Sequence, residues 1–275
     1  MKAKIILTIL AVVGILILNY SQHMKRTYKN EVFIGLERTS KLSAEIVQES
    51  DLEHLPLIVQ KYLKYVGVVG KEKVYQMKVV LEGRIRSNPE DSWMKFTSEQ
   101  YNFFDNPTRV FYFKATKLGM PATGLHLYKN GKASFKVKLL GLLKLVDAKG
   151  EKLNQAETVT LFNDMCLLAP ATLISKKIEW TEIDSLTVDA QFTNENITIN
   201  ALLFFNNKGE LINFVSNDRY ETNGKEYHNY PWLTPVKKYQ QIGPFKLCSD
   251  VSANYQRPDT TFSYGKFKIK KITYN

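Results

Sequence analysis

The sequence predicts a mainly β protein of the α+β class: one large curved antiparallel sheet forming an open or partly closed barrel, a few helices packed on one face, and an N-terminal transmembrane helix. Three observations predict it. They are an uncharged apolar run at residues 5–18, a change of hydrophobic period from about 3.6 to about 2 near Lys73, and repeated strand-like segments separated by turn residues. We expect an anchor or signal at 1–22, a linker and amphipathic helix at 23–50, and a single β-rich domain at 51–275.

The apolar run is the basis of the anchor prediction. Residues 5–18 follow Lys2 and Lys4, and as a helix they are about 21 Å long, so Tyr20 and other flanking residues are needed to approach the ~30 Å of a bilayer core. A cleaved signal peptide is the alternative, but residues 19–23 offer no pair of small residues for a cleavage site. We expect an uncleaved anchor with membrane lipids as partners. The signal-like start favours a body outside the cytoplasm.

Helical periodicity recurs after the anchor. A weak amphipathic pattern covers Glu31 to Glu49. In a stronger one, Ser50 to Glu53 match a capping box, apolar residues repeat at three- and four-residue spacing, and Gly67 is a natural stop. Between residues 154 and 175 we expect two short helices, broken before Pro170, that cover the sheet.

From Lys73 onward apolar and polar residues alternate, which is typical of half-buried antiparallel strands. Asn130-Gly131 predicts a two-residue hairpin turn, and Asn223-Gly224 another turn. The predicted strands are residues 75–86, 93–104, 109–118, 125–128, 132–139, 177–183, 186–193, 197–205, 210–221, 237–242, 245–255 and 261–274. Alternation places two groups on opposite faces: Lys136, Lys138, Lys266, Lys268 and Lys270 toward solvent, and Phe135, Val137, Phe267 and Ile269 inward.

The chain is basic, with a formal net charge of +11, which favours anionic surfaces. For a tethered chain the nearest anion is lipid, and no motif for binding nucleic acid is present. Cys166 and Cys248 are too few and too far apart to predict a disulfide framework. The histidines have no metal-ligand spacing, so we expect no metal or other cofactor; they are His23, His54, His126 and His228.

Short motifs occur in a particular order along the chain. They are residues 55–63 (LPLIVQKYL) with Gly67, 83–86 (GRIR), 96–100 (FTSEQ), 107–111 (PTRVF), 139–141 (LLG), 170–173 (PATL), 180–184 (WTEID) and 231–232 (PW). Together, over about residues 52–274, they resemble a family of uncharacterised bacterial proteins that carry a domain of unknown function. The resemblance implies a bacterial origin and a fold similar to the half-barrel of periplasmic lipoprotein carriers, and it implies no activity.

A sheet of this size must cover its concave apolar face or hold something in it. Aromatic residues are abundant, and most of them are explained as core. We predict a membrane-anchored binding protein for a lipid-like or other hydrophobic ligand, acting as carrier, scavenger or sensor, with basic residues that meet an anionic head. The predicted ligand-binding residues are Trp93, Tyr112, Phe113, Trp180, Trp232, Arg84, Arg109 and Arg219.

Two other functions stay open. One is an envelope hydrolase that acts on a glycan or lipid through carboxylates such as Glu182, Asp184 or Asp218, although Asp218 and Glu221 fall on opposite faces of their predicted strand. The other is a filled barrel that serves as an interaction module. A large apolar cavity would favour ligand binding over the filled barrel.

Overall fold

A computed structural model describes residues 2–117, 119–222 and 226–275, with side chains from residue 20 onward except at residue 117. Within these residues a 14-stranded antiparallel sheet forms a half-barrel on which the helices pack, and this confirms the predicted mainly β class and the large curved antiparallel sheet. The helices are α1 (Lys2–Thr39), α2 (Leu57–Val66) and α3 (Glu151–Leu168), with 3-10 turns at Glu49–Leu52 and Pro170–Ile174. The predicted turn at Asn223-Gly224 lies outside the described residues.

Two meanders build the sheet. The first is β1 (Gln76–Ile85), β2 (Met94–Phe103), β3 (Thr108–Lys117), β4 (Met120–Lys129), β5 (Lys132–Leu139) and β6 (Leu143–Lys149). The second is β7 (Ile178–Asp184), β8 (Thr187–Asn194), β9 (Ile197–Phe205) and β10 (Leu211–Ser216). A small separate ladder follows as β11 (Glu221–Thr222) and β12 (Tyr227–His228), and then come β13 (Trp232–Leu233), β14 (Val236–Ile242), β15 (Phe245–Gln256) and β16 (Thr261–Tyr274).

The C-terminal strand joins the two meanders. β16 pairs with β1 on one side and with β15 on the other, so the order across the described sheet runs β6 to β1, then β16, β15, β13, and β10 to β7, with β14 paired to β15 outside this order. β6 and β7 are the two ends of this order. The pairing of β1 with β16 joins residues far apart in sequence, such as Met77 and Tyr274, and is a contact of high sequence separation.

Alternation and turn chemistry explain most strand boundaries. Asn130 and Gly131 both have positive φ, as the predicted hairpin turn between β4 and β5 requires. β4 is longer than predicted, and β6 was missed because its exposed leucines and lysines do not alternate by face. The strand predicted at 210–221 ends at Ser216, whose hydroxyl accepts the N–H of Asp218 in a local turn.

The second helix starts later than predicted and ends as predicted. The carboxylate of Asp51 accepts the N–H of Gln48 at 2.9 Å, so the capping interaction belongs to the 3-10 turn and not to Ser50 and Glu53. Pro56 is the N-cap of α2. Gly67 has a φ of 81°, and its N–H donates to the carbonyls of Leu63 and Lys64.

Helix α1 corrects two predictions. It is continuous to Thr39 where a separate helix at 31–49 was expected, and it packs on the convex face, so the helices cover both faces of the sheet. It buries Met24, Tyr28 and Val32 against β3 and β4. Lys138, expected in solvent, is buried there: its Nζ donates to the carbonyl of Tyr20 at 3.2 Å.

The predicted anchor falls mainly on residues whose side chains lie outside the described part of the chain. Over the part that is described, no helix combines the length and the apolar character of a membrane span.

Helix α3 lies on the concave face. It is one helix of 18 residues followed by a 3-10 turn, where two short helices were expected, and the break falls before Pro170 as predicted. At its start the Tyr128 hydroxyl contacts the Thr158 hydroxyl at 2.7 Å. Further along, Phe162 stacks on Phe192 with ring centroids 5.2 Å apart. The first contact joins α3 to β4, and the second belongs to the core that fills the half of the concave face formed by β8 to β10.

The close approach of α1 to the sheet is testable at Gly35. A Cβ there would lie 2.2 Å from the Phe103 ring, so Gly35→Leu should overpack this contact and lower the free energy of unfolding by about 1–3 kcal/mol. The measurement is denaturant unfolding in detergent. Phe33→Leu, at a position 61% exposed on the same helix, is the control and should change it by less than about 0.5 kcal/mol. Equal stability of Gly35→Leu and the wild type would contradict this packing.

Candidate functional site

A cavity of about 960 Å³, here called the α3 cavity, lies between α3 and the inner faces of the first meander and of β15 and β16. Its wall is largely apolar. Members of that wall include Leu81, Phe96, Phe111, Phe113, Phe135, Phe262, Phe267 and Ile269. Core side chains fill the half of the concave face formed by β8 to β10, so the half-barrel is packed on that side and open on the side of the cavity.

Strand alternation decides which residues reach the cavity. On β3, Arg109, Phe111 and Phe113 point inward, whereas Tyr112 between them points to the convex face and packs under α1. The Tyr112 ring lies 5.3 Å from the ring of Tyr28.

A buried ion cluster lies where α3 crosses β2 and β3. Arg109 donates from Nε to Asp164 Oδ2 at 2.8 Å, from Nη1 to Glu157 Oε2 at 3.2 Å, and from Nη2 to Gln100 Oε1 at 3.0 Å. The same Asp164 oxygen accepts amide N–H groups from Gln100 at 2.7 Å and Asn102 at 3.0 Å. Each charge in the cluster therefore has a charged or amide partner, as burial requires.

His126 adjoins this cluster from β4. Burial lowers its pKa to about 4; the carboxylate of Glu157 opposes this shift, and the charges of Arg109 and Arg219 reinforce it. Its Nε2 lies 3.3 Å from Glu157 Oε1 but makes no hydrogen bond with a described residue. At neutral pH His126 is an uncharged ring in the cavity wall, 4.6 Å from the Phe135 ring.

Glu157 is almost fully buried and ionised. Burial raises its pKa, but the interactions with His126, Arg109 and Arg219 and the hydrogen bond from Thr160 outweigh burial and leave the pKa below its usual value. The hydroxyl of Thr160, one turn further on α3, lies 3.2 Å from Glu157 Oε1.

Arg219 differs from Arg109 in its partners. Its Nε donates to the Thr160 hydroxyl at 3.1 Å, its Nη1 donates to the Tyr255 hydroxyl, and its guanidinium lies 4.6 Å from the centre of the Trp232 ring. Among the described residues no carboxylate lies within ion-pair distance of it. A cation in a low-dielectric cavity with only neutral hydrogen-bond partners is suited to meet an anion.

Of the predicted ligand-binding residues, the α3 cavity brings together Phe113, Trp232, Arg109 and Arg219. Trp93 lies behind its rim, where Arg86 covers the ring at 4.6 Å.

Three predicted residues lie elsewhere. Tyr112 and Arg84 occupy outward positions of their strands, and Arg84 is exposed. Trp180 packs against the filled half of the core.

The carboxylates considered for catalysis have other partners. Glu182 accepts the N–H of Leu57 at 3.3 Å, and Asp184 accepts the N–H of Leu186 at 2.8 Å. Asp218 accepts the N–H of Asn200 at 2.7 Å and the amide of Gln155 at 3.1 Å. These contacts are those of turns and strand ends.

The acidic residues of the cavity were missed from sequence. Glu157, Thr160 and Asp164 stand at i, i+3 and i+7 on α3, and this spacing puts them on one helix face. That stripe of charged and hydroxyl side chains on one face of the helix was the available signal. Within the described residues no group of three or more His, Cys, Asp or Glu could hold a metal, and Cys166 and Cys248 are free and buried.

Comparisons with known proteins bear on the family. A model described as a family of unknown function (DUF6544) matches residues 45–267, which confirms the resemblance expected from the motif order. No curated protein matches the chain.

Three solved structures are similar. One is a candidate outer membrane lipoprotein-sorting protein domain from Vibrio parahaemolyticus, with 9% identity, a TM-score of 0.45, and coverage of 79% of this chain and 91% of that chain. A LolA superfamily protein from Nitrosomonas europaea has 8% identity, a TM-score of 0.43 and coverage of 79% and 92%. A DUF1329 family protein from Desulfovibrio piger has 8% identity, a TM-score of 0.43 and coverage of 79% and 90%.

The buried His126 predicts a pH dependence of stability. Its folded pKa is about 4 against 6.5 in the unfolded chain, so below pH 6.5 the unfolded chain binds a proton that the folded chain does not, and stability falls as pH falls. Between pH 7 and pH 5 this amounts to roughly 2 kcal/mol. Glu157, whose folded pKa is lowered, adds a loss in the same direction only below pH 4.5.

The measurement is denaturant unfolding at pH 7 and pH 5 for the wild type and His126→Phe, which keeps a ring beside Phe135. The variant should lose less stability between the two pH values, by roughly 2 kcal/mol. If both proteins lose the same amount, His126 does not stay neutral in the folded state.

Proposed function

Because the chain belongs to a family of unknown function (DUF6544), we propose its function from the geometry of the α3 cavity: it binds a lipid-like molecule whose apolar body lies along the inner face of the first meander and whose anionic head meets Arg219. The protein then acts as a carrier, scavenger or sensor, by mass action.

The observation that carries this proposal is the size and lining of the cavity. About 960 Å³ is at the upper end of the roughly 300–1,000 Å³ usual for small-molecule sites, and phenylalanine and aliphatic side chains dominate the wall. A filled barrel would have no such space. Transfer of an acyl chain from water to this apolar wall is favourable, because it removes the apolar surface of both from water.

The cations around the cavity support an anionic head. Arg219 has no carboxylate partner among the described residues, and Arg86 donates only to the carbonyls of Ser263 and Pro89. Arg109 is excluded from this role, because Glu157 and Asp164 already satisfy it.

A comparison of two ligands tests whether Arg219 binds an anionic headgroup. We expect a fluorescent fatty acid to bind about 10- to 100-fold more tightly than the corresponding alcohol, since a hydrogen bond to a charged group contributes about 1.5–3 kcal/mol. In Arg219→Gln this ratio should shrink towards one. Equal affinities for acid and alcohol in the wild type would contradict a role for Arg219.

Cavity filling tests the apolar body separately. Ala148, half-buried in the cavity wall on β6, is replaced by Trp, and both ligands should then bind at least tenfold more weakly. Thr181→Trp, at an exposed position on β7, is the matched control and should bind as the wild type does. Unchanged binding in Ala148→Trp, in a variant that unfolds at the wild-type denaturant midpoint, would contradict binding in this cavity.

We also propose that the apolar run at 5–18 tethers the chain to a membrane, with the body outside the cytoplasm. The run is uncharged and flanked by lysines, which favours insertion. The full chain should stay in the membrane pellet after an alkaline carbonate wash, and Leu10→Lys with Val13→Lys should release it. Release of the wild type, or a mature N-terminus after residue 22, would contradict an uncleaved tether.

A further inference from the structure

The hairpin between β5 and β6 exposes a run of leucines. Leu140 is 50% exposed, Leu142 38%, Leu143 59% and Leu145 45%, so four large apolar side chains within six residues face solvent. Met120, 37% exposed, lies in the neighbouring turn, where the carbonyl of Pro121 accepts the N–H of Leu140 at 2.8 Å. Residues 139–145 are here called the leucine hairpin. A cluster of this kind on a soluble surface marks an interaction site.

The backbone of the leucine hairpin is strained at Leu140. Leu140 has a φ of 54°, in the left-handed region, where a leucine costs about 1–2 kcal/mol relative to an ordinary conformation. Asn or Gly at this position would relieve the strain and remove an exposed apolar side chain. Leu140 therefore destabilises the folded protein in two ways, through backbone strain and through an exposed apolar side chain. This combination is typical of a residue that contacts a partner.

The charge around the hairpin identifies the partner's chemistry. Residues 107–150 contain Asp147 as their single acidic residue against nine basic ones, which are Arg109, Lys114, Lys117, Lys129, Lys132, Lys136, Lys138, Lys144 and Lys149. The strand register places three of these lysines in one row beside the hairpin: Lys144 pairs with Lys138, and Lys138 is aligned with Lys114 across β4. Lys114 and Lys144 are exposed. Exposed leucines beside this row of lysines match the interface of an anionic bilayer, where apolar side chains enter the acyl boundary and ammonium groups meet the headgroups.

The hairpin also lies next to the apolar N-terminal segment. A Cβ on Gly141 would lie 3.0 Å from Cβ of Ser21, and the Nζ of Lys138 lies 3.3 Å from the centre of the Tyr20 ring. The leucine hairpin and the end of the uncharged run at 5–18 thus occupy the same corner of the molecule.

We propose that the leucine hairpin is a membrane-docking site, which inserts Leu140, Leu142 and Leu143 into the interface of an anionic lipid bilayer while the surrounding lysines contact its headgroups. Leu145 lines the α3 cavity, but the three inserting leucines, Leu140, Leu142 and Leu143, are not part of its wall, so either proposal can fail without the other.

The test places a fluorescent label at the hairpin in the full chain, reconstituted in phosphatidylcholine vesicles with about one-third phosphatidylglycerol. Because Cys166 and Cys248 are buried, a thiol-reactive environment-sensitive dye labels Leu142→Cys alone. We expect blue-shifted emission, strong quenching by lipid-borne nitroxides and protection from aqueous iodide. Met120→Cys repeats the measurement with all four leucines intact.

Ile183→Cys is the matched control. It is 58% exposed on β7, at the opposite edge of the sheet, and its label should be quenched by iodide and not by the lipid nitroxides. Iodide quenching at position 142 equal to that at 183 would overturn the proposal. So would protection from iodide without nitroxide quenching, since protein, such as a second copy, would then cover the hairpin. Equal insertion in pure phosphatidylcholine would overturn the role of the lysines.

Discussion

The attachment of α3 to β2 and β3 by the Arg109 cluster is the interaction on which the cavity depends. Arg109 bonds to Asp164 and Glu157 on α3 and to Gln100 on β2, so these charges hold the helix across the sheet at a fixed separation. Collapse of α3 onto the apolar wall would leave buried charges without partners, at a cost of several kcal/mol. The polar cluster thus keeps an apolar space open that hydrophobic packing alone would close.

Two arginines of the same cavity have different tasks because their partners differ. Arg109 is saturated by acids and amides and acts as part of the scaffold. Arg219 lies among Trp232, Tyr255 and Thr160, where aromatic and hydroxyl groups position the guanidinium without neutralising it. Neutral His126 adds no competing positive charge near Glu157 at neutral pH. Arg109 with Glu157 and Asp164 carries one net negative charge, which Arg219 offsets from a distance, so the N–H groups of Arg219 have no carboxylate in direct contact.

Local patterns in the sequence were sufficient for much of the fold. Alternation located most strands, Asn130-Gly131 and Gly67 gave a hairpin turn and a helix end, and Pro170 marked the end of α3. Contacts between distant elements were not accessible in this way. Helix α1 covers one side of the sheet because Met24 and Tyr28 pack against β3. The periodicity of the sequence does not reveal such packing between distant segments.

The same limit applied to the site. Phe113, Trp232, Arg109 and Arg219 were named from residue type, but Tyr112 was assigned to the wrong face of its strand because periodicity does not say which face is concave. Glu157 and Asp164 were overlooked because a carboxylate on a helix of mixed composition becomes informative only when its partner, here Arg109 from β3, is known.

β6 is an edge of the half-barrel, paired only with β5 within the described sheet. Unpaired backbone groups at such an edge are a template for other chains, and natural sheets guard against this with charges. The strand carries the charged residues Lys144, Asp147 and Lys149, but Leu142 and Leu143 at its start are uncharged and exposed. When detergent is removed, the exposed leucines and the unpaired backbone of β6 therefore make the protein prone to aggregate through this edge, starting at Leu142 and Leu143.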